Sequence, residues 1–380
     1  MSKTVLIIAG EASGDKHAAN LVESLKRRED VRLIGIGGEK MQAAGVELLH
    51  HAKEMSVMGF SEIFSKLPFL RRVRKDLMSS VRTEKPSAVI LVDYPGFNLR
   101  FAGLAKRNGI KVIYFISPQI WAWGKRRIKK IRRTVDLMLT IFKFEEDMYR
   151  EEGVNARFVG HPLLDEIRTH DKSELESFRK SCSVDENGKM LVLFPGSRLQ
   201  EVKRILPTML ESAELLKEEL LKIGTRLEAV IGCASGIDQS VYEQIVREAG
   251  VSVRFSRDPD LLMSAGDAGL IKSGTATLEA ALHGLPIAVV YRTSWINYFI
   301  GRMLVKLDSI SLVNIVAGKK IVEELIQNDF TSTRAASIMK EIITNKNVVD
   351  EIRAKYAELR TVIGEKGASD RAAELVLETI

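Results

Sequence analysis

Short, continuously apolar runs alternate with longer polar stretches through the first half of the chain. The runs are rich in β-branched residues, and a turn signal or a helical pattern follows each one. Strands that are apolar on both faces and alternate with helices predict a parallel sheet covered on both sides. The predicted strands of this half are residues 5–8, 31–34, 88–92, 111–116, 137–141 and 158–159.

The same alternation restarts after a charged helical stretch at residues 165–189. It predicts an α/β protein with two Rossmann-like, doubly wound domains that face each other across a cleft. We place the boundary near Asp165, so that the domains are residues 1–165 and 166–330. Residues 331–380 are helical, and we expect this tail to pack back on the domains or on a partner subunit. The predicted strands of the second half are residues 190–194, 227–231, 251–255, 268–271 and 287–290.

The composition of the 380 residues is that of an ordinary globular protein, with 45% hydrophobic and 28% charged residues. Only two cysteines are present, Cys182 and Cys233, and no Cys/His cluster has the spacing of metal ligands. We therefore expect neither a disulfide framework nor a metal. The sequence has no signal peptide and no apolar run of bilayer-spanning length, which predicts a cytoplasmic location. The net charge of +7 is consistent with nucleic acid, an anionic membrane surface or an anionic substrate as partner.

Two loops of the first half carry acidic residues directly after predicted strands. Residues 10–17, which include Glu11 and Ser13, form a glycine-containing turn that could approach an anion, but they lack the GxGxxG spacing of a nicotinamide site. The alternative is a structural turn in which Ser13 or Asp15 caps a helix. Asp93 follows the strand at residues 88–92, at the edge where open α/β sheets bind ligands. It could take a proton from a substrate hydroxyl, or it could cap the next helix.

Two further segments combine apolar and basic side chains. Trp121 and Trp123 could form a stacking wall for a sugar or pack as core, and seven basic residues follow between positions 125 and 133. Residues 60–77 have one apolar helical face and a basic polar face, a pattern typical of helices in a membrane interface. Pro68 could divide this segment into two short helices, and a core-facing helix is the alternative.

Phosphate-binding loops are predicted at two strand ends of the second half. Gly196 and Ser197 could donate hydrogen bonds to a diphosphate, and Arg198 adds a positive charge. A second turn opens a helix, so that its N–H groups and dipole point towards a phosphate. Glu279 lies one turn into that helix and could reach a ribose diol. The residues of this second turn are Ser273, Gly274 and Thr275.

Seven ordered motifs make the chain resemble the lipid-A-disaccharide synthase family, from the first strand to about Asp329. The family implies a GT-B fold, with the acceptor in the N-terminal domain and the nucleotide in the C-terminal domain. It also implies transfer of a sugar from UDP-2,3-diacylglucosamine to 2,3-diacylglucosamine 1-phosphate, which gives a β-1,6-linked disaccharide and UDP. The motifs are GEASGD (10–15), DYPGFN (93–98), SPQIWAW (117–123), GHPLLDE (160–166), FPGSR (194–198), SGTATLEAAL (273–282) and ISLVNIVAG (310–318).

The resemblance assigns roles to individual residues. It implies that Asp93 is the general base and that Glu11 and Ser13 line the active cleft. Ser273, Gly274 and Thr275 would offer N–H groups to the phosphates, and neither a metal nor a cofactor is implied. The family usually has proline where this chain has Val313, which makes the placement of the following asparagine less secure. The residues that match the family's UDP-holding positions are Arg198, Glu279 and Asn314.

The resemblance also implies a peripheral protein at the cytoplasmic face of the inner membrane, and it suggests a homodimer with exchanged C-terminal segments. Phe60–Leu77 becomes the membrane-contacting segment. Two rivals remain: a UDP-N-acetylglucosamine 2-epimerase, which needs no lipid acceptor, and a nucleic-acid-binding protein. The basic runs lack the interleaved aromatic residues of a nucleic-acid site, so we expect no nucleic acid. The residues implied in acceptor or membrane contact are Ile63, Phe64, Leu67, Leu70, Arg71, Arg72, Trp121 and Trp123.

Overall fold

The computed structural model describes residues 3–55, 60–121, 127–295, 298 and 309–380, except the side chains of residues 12 and 60–66. The chain divides into two units. The first unit consists of Met1–Asp165 together with Ile363–Ile380, and the second is Glu166–Val362.

The first unit is built on a parallel sheet with strand order β3-β2-β1-β4-β5-β6-β7. The order reverses direction between β1 and β4, which is the point where doubly wound sheets bind ligands. Every residue of β4 is buried, as expected for a strand covered on both faces. The strands are β1 (Lys3–Ala9), β2 (Val31–Gly37), β3 (Glu47–His51), β4 (Ala88–Val92), β5 (Lys111–Phe115), β6 (Leu137–Thr140) and β7 (Ala156–Phe158).

Helices connect these strands and cover the sheet. The last helix of the chain belongs to this unit and packs on the first, where Arg27 and Arg28 both contact Asp370. The helices are α1 (Ala12–Arg28), α2 (Glu39–Ala43), α3 (Ala52–Met55), α4 (Phe60–Glu84), α5 (Pro95–Arg107), α6 (Ile128–Thr134), α7 (Lys143–Glu151) and α8 (Leu163–Glu166), with Ala368–Thr379 as the C-terminal helix.

The second unit contains another parallel sheet, with strand order β10-β9-β8-β11-β12-β13. Its order reverses between β8 and β11. The strands are β8 (Lys189–Phe194), β9 (Leu227–Gly232), β10 (Arg254–Ser256), β11 (Ala268–Lys272), β12 (Ile287–Tyr291) and β13 (Glu324–Ile326). The helices are α9 (Lys172–Ser181), α10 (Leu199–Leu221), α11 (Gln239–Ala249), α12 (Pro259–Ala265), α13 (Thr275–Leu282), α14 (Leu312–Ala317), α15 (Ser332–Thr344) and α16 (Lys346–Val362), with a 3-10 helix at Gln327–Asp329.

The predicted fold class is confirmed: both sheets are parallel, doubly wound and covered by helices, and the C-terminal end is helical. The sequence pattern missed β3 and β13. Both are edge strands, and β3 is only half-buried, so neither forms the continuous apolar run of a central strand.

Helix α4 is one helix, so Pro68 does not divide the segment into the two short helices that the sequence left open. Pro68 lies inside it and removes one backbone donor, but the remaining turns hold the helix together. Val73 and Leu77, in its later part, are completely buried in the core, whereas Leu67 and Leu70 are half-buried. No helix in the described ranges has both the length and the apolarity that crossing a membrane would require.

Candidate active site

Glu11 and Asp93 follow neighbouring strands at the switch point of the first unit. Ala9 pairs with Val92 across β1 and β4, so the two loops leave the sheet side by side. Burial and the nearby negative charge of Glu11 raise the pKa of Asp93 to about 6, against the opposing effects of the Tyr94 N–H and His17. Asp93 is therefore a carboxyl group that loses its proton just below neutral pH, as a general base requires.

The backbone at Asp93 is held in an uncommon conformation. Asp93 and Tyr94 both have left-handed φ angles, of 45° and 46°, which costs energy for residues other than glycine. The Asp93 carbonyl oxygen accepts hydrogen bonds from Asn98 Nδ2 at 2.8 Å and Tyr114 Oη at 2.6 Å. These contacts fix the direction in which Asp93 leaves the strand. The N-cap of α5 is Tyr94, so the structure does not follow the alternative in which Asp93 caps the helix.

The segment after β1 contains a buried acidic residue with a structural role, Asp15, and a more accessible one, Glu11. Asp15 is buried, and its carboxylate accepts hydrogen bonds from the backbone N–H groups of Gly38, Lys40 and Met41. It therefore caps α2 rather than its own helix. Glu11 is the N-cap residue of α1, but its side chain makes no capping hydrogen bond. Ser13 lies exposed in the first turn of α1.

A cavity of about 560 Å³ in the first unit is lined by Tyr94, the residue that follows Asp93. Its apolar wall includes Leu67 and Leu70 of α4, two residues of the predicted acceptor segment. Arg72 is exposed and does not line the cavity as the described residues define it. The predicted residues Ile63 and Phe64 have side chains outside the described part, and Trp123 lies outside the described residues altogether. The lining residues are Leu67, Leu70, Arg71, Arg74, Tyr94, Gly96, Phe97 and Arg100.

Trp121 is half-buried, and its indole Nε1 donates to Glu145 Oε1 at 2.9 Å. Its ring meets Phe144 edge to face at 5.5 Å. In the basic stretch that follows, Ile131 is buried in the core while Arg132 and Arg133 are exposed. Helix α6 thus turns its positive charges towards solvent.

The second unit brings both predicted phosphate loops to one cavity of about 320 Å³. The loops follow β8 and β11, the two strands at the switch point. The sequence analysis missed the loop after β9, at residues 232–235, and Arg257, although the same rule of strand ends would have indicated the β9 loop. The predicted residues that line the cavity are Gly196, Ser197, Ser273, Gly274, Thr275 and Glu279.

Lys272 is a further cation in this cavity that the sequence analysis did not select. Its Nζ lies 2.8 Å from Glu201 Oε1, and both side chains are largely buried. Glu201 also accepts a hydrogen bond from the Ser197 N–H at 3.2 Å. Gly196 has a φ of 122°, and a Cβ there would lie 2.5 Å from Glu201 Oε2, so only glycine fits the loop. The Glu201 carboxylate therefore contacts the Ser197 N–H and Lys272, the same groups that a bound phosphate would use.

Arg198 and Asn314 lie outside the lining of this cavity as the described residues define it. Arg198 is exposed at the N-cap of α10, 3.9 Å from Glu201. Asn314 is buried, and its amide bonds to the backbone of Ile321 and Val322 and to Glu324. Contact of Asn314 with a nucleotide stays a prediction. The hydrogen bonds of the Asn314 side chain hold the backbone that follows α14. Val313 occupies the first turn of α14, where proline and valine are both compatible with a helix.

Two features of the described residues concern metal ligands and thiols. No group of three His, Cys, Asp or Glu side chains is arranged to hold a metal ion within those ranges. Cys233 lines the second cavity, but burial raises the pKa of its thiol to about 11, which keeps it protonated at neutral pH.

Comparison with known proteins gives the family of the chain. The family model described as lipid-A-disaccharide synthetase matches residues 5–379. The lipid-A-disaccharide synthase of Myxococcus xanthus is 41% identical over 379 residues, which are 99% of this chain and 97% of that protein. The enzyme of Syntrophus aciditrophicus is 42% identical over 382 residues, which are 100% and 98% of the two chains.

The chain belongs to the lipid-A-disaccharide synthase family. It is therefore a glycosyltransferase of lipid A biosynthesis, and family membership favours this activity over the epimerase alternative.

Solved structures show the fold that this synthase family shares with other proteins. CalG4, the calicheamicin glycosyltransferase, has a TM-score of 0.61 at 12% identity and is covered over 98% of its chain, with 100% of this chain matched. The UDP complex of S. aureus MnaA has a TM-score of 0.65 at 14% identity, with 100% and 98% of the two chains covered. At these identities the likeness shows the GT-B fold alone.

Proposed function

We propose that the enzyme transfers 2,3-diacylglucosamine from UDP-2,3-diacylglucosamine to the 6-hydroxyl of 2,3-diacylglucosamine 1-phosphate. The products are the β-1,6-linked disaccharide phosphate and UDP. The observation that carries this proposal is the family match over residues 5–379, joined to a carboxyl group with a pKa of about 6 at the switch point of the first unit.

Asp93 is the general base of the proposed reaction. Its ionised carboxylate takes the proton from the acceptor hydroxyl, and the freed oxygen attacks the anomeric carbon of the donor. The bond between that carbon and the diphosphate breaks, its electron pair leaves with UDP, and the configuration inverts. Glu11 contributes by its charge, which helps to keep the pKa of Asp93 close to the pH at which the enzyme works.

The cavity of the second unit binds the nucleotide in this proposal. Its loops offer the backbone N–H groups of Ser197 and Thr275, and Lys272 and Arg198 supply positive charge. Negative charge develops on the leaving diphosphate during transfer, so these fixed donors stabilise the transition state without a metal. Glu279 would bind the ribose. The UDP complex of the structurally similar MnaA supports a UDP site in this fold.

The cavity of the first unit fits the chemistry of the lipid acceptor. Its wall accepts an acyl chain at Leu67, Leu70 and Phe97, and Arg71 and Arg74 provide the charge that a phosphate requires. Tyr94 lines this cavity and follows Asp93 directly, so a bound acceptor would lie beside the base. The half-buried apolar residues of α4 would contact the cytoplasmic face of the inner membrane, from which such a lipid is taken.

A coupled incubation tests the proposed reaction. Purified enzyme is mixed with detergent, UDP-2,3-diacylglucosamine, the diacylglucosamine 1-phosphate acceptor and EDTA, and both products are quantified. Equal amounts of disaccharide and UDP are expected. Release of UDP without disaccharide would indicate hydrolysis and contradict the proposal. Conversion of UDP-N-acetylglucosamine in the absence of an acceptor would instead support an epimerase.

A further inference from the structure

Helix α7 contacts the loop after β5 with two side chains of the same face. Glu145 and Tyr149 are four residues apart, so they lie one above the other on the helix. Glu145 Oε1 accepts from Trp121 Nε1 at 2.9 Å, and Tyr149 Oη donates to the Pro118 carbonyl oxygen at 3.0 Å. Both side chains are almost completely buried, with relative exposures of 1% and 0%. One helix therefore holds the loop at two points.

The loop requires such support because its backbone is strained. Ile116, the first residue after β5, has a φ of 63°, which is unfavourable for a β-branched side chain. Its N–H still donates to the Leu139 carbonyl oxygen at 3.1 Å, which keeps this residue attached to β6. From there to Trp121 the chain runs as a loop, so its course depends on contacts from outside the segment.

The loop begins next to the groups that shape Asp93. Phe115 pairs with Val92 across β4 and β5, and the Asp93 N–H donates to the Phe115 carbonyl oxygen at 3.1 Å. Tyr114, also of β5, donates its Oη to the Asp93 carbonyl oxygen. Pro118 and Trp121, the two residues that α7 holds, are therefore joined through Ile116 and Phe115 to the backbone that carries Asp93.

A buried carboxyl group that holds a loop lowers the stability of the folded protein. Burial raises the pKa of Glu145 to about 7, and the hydrogen bond from Trp121 only partly opposes this effect. The Ser117 hydroxyl and the backbone N–H groups of Phe142 and Ile141 also lower the pKa but do not cancel the effect of burial. The group thus costs stability, whereas an apolar side chain would pack there without that cost.

We propose that Glu145 is a positioning residue for the transfer reaction. It fixes the loop at residues 116–121 and thereby the side of the site next to Asp93 that binds the lipid acceptor. This inference rests on the proposed function. It predicts that loss of the Glu145 oxygen that binds Trp121 impairs use of the lipid substrate. Nucleotide binding should stay intact, because the UDP cavity belongs to the other unit.

The test compares two substitutions at this position with a control on the same helix. Glu145→Leu removes the acceptor oxygen, and we expect kcat/KM for the lipid acceptor to fall by about 10- to 100-fold, as misplacement of reacting groups does. The dissociation constant of UDP should stay unchanged. Glu145→Gln keeps an oxygen for Trp121 and should restore most of the lost rate. Glu146→Gln is the control, since Glu146 is also buried but pairs with Lys143 and Arg150 instead of the loop.

Three results would overturn the inference: an unchanged kcat/KM in Glu145→Leu, no recovery in Glu145→Gln, or an equal loss in Glu146→Gln. If Glu145→Leu does not fold, Tyr149→Phe serves instead, since it removes only the hydrogen bond to Pro118 and should lower kcat/KM for the acceptor in the same selective way. If the wild-type protein makes no disaccharide, the proposed function itself is wrong. This result differs from the three above, so failure of the inference and failure of the proposed function can be distinguished.

Discussion

At the scale of single residues, two carboxylic acids of the first unit have raised pKa values, and burial is the largest cause in both. Asp93 follows the carboxyl end of a central strand, where the charge of Glu11 adds to the effect of burial. Glu145 is enclosed, and its pKa is raised by burial with no cation among its causes. The sequence indicated Asp93, because it follows a strand end. It could not indicate Glu145, because an acid in a polar helix has the same pattern whether it faces solvent or the interior.

Replacing Asp93 by alanine tests the assignment of the base. We expect turnover to fall by about 10²-fold or more, the range for a positioned acid–base group, while the affinity for UDP is retained. Steady-state kinetics and calorimetric titration with UDP measure the two quantities. Near-normal turnover would move the role of the base to another residue.

The pH profile of the same reaction provides the control. In the wild type, kcat/KM should fall as the pH drops below about 6, because Asp93 then carries a proton. Glu11→Gln removes the neighbouring negative charge, so the acid limb should move to lower pH. A profile that does not move would contradict the coupling of Glu11 to Asp93.

Glu145 should make the stability of the protein depend on pH. Its folded-state pKa of about 7 lies above the ordinary value of 4.5, so the folded state loses stability as the pH rises from 4.5 to 7. Glu145→Gln has no such loss, and its advantage over the wild type should grow with pH, by about 3 kcal/mol at most. Thermal unfolding of both proteins at pH 5 and pH 8 measures this. An advantage that is constant with pH would show that Glu145 does not titrate in this range.

At the scale of elements, α4 combines two functions that its sequence pattern could not separate. A single apolar stripe runs along the helix, yet Val73 and Leu77 are core residues and Leu67 and Leu70 line an open cavity. Periodicity indicates which face of a helix is apolar but not what covers that face. Central strands were predicted because both of their faces are buried, whereas the edge strand β3 was missed for lack of that signal.

Substitution of Leu67 and Leu70 by serine tests the membrane and acceptor role of α4. We expect weaker binding to anionic lipid vesicles and a higher KM for the lipid acceptor, with an unchanged fold, because these side chains are only half-buried. Vesicle co-sedimentation measures binding, steady-state kinetics measures the KM, and circular dichroism checks the fold. Leu221→Ser with Ile223→Ser is the control, since both residues are exposed apolar residues of the second unit. Unfolding of the α4 variant would identify the segment as core.

The two predicted phosphate loops of the second unit line one cavity, and Lys272 lines it with them. Lys272→Ala should weaken UDP binding by about 10-fold, which corresponds to one charge-assisted hydrogen bond of about 1.4 kcal/mol. Arg198→Ala should act in the same direction. Calorimetry with UDP and with uridine separates the contributions, because uridine has no phosphate and its weaker binding should not change. An equal loss for both ligands would show general damage to the cavity.

At the scale of the whole molecule, the alternation of strands and helices predicted two doubly wound units. Strand ends predicted six of the residues that line the cavity of the second unit, and helical periodicity predicted three that line the cavity of the first. Family resemblance supplied the substrates, which no spacing of residues contains. The homodimer stays a prediction. The path of the tail could not be predicted. The pattern of an amphipathic helix indicates that one face packs on another surface, but it does not indicate which unit provides that surface. Helices α15 and α16 belong to the second unit, and Ala368–Thr379 belongs to the first.

The return of the last helix to the first unit sets an order of assembly during synthesis. All residues of the second unit, up to Val362, leave the ribosome before the segment that completes the first unit. Until that segment arrives, α1 lacks the helix that covers it, and the Asp165 carboxylate lacks the N–H groups of Gly367 and Ser369 that it later binds. The second unit can therefore begin to fold while the first unit still lacks its last helix.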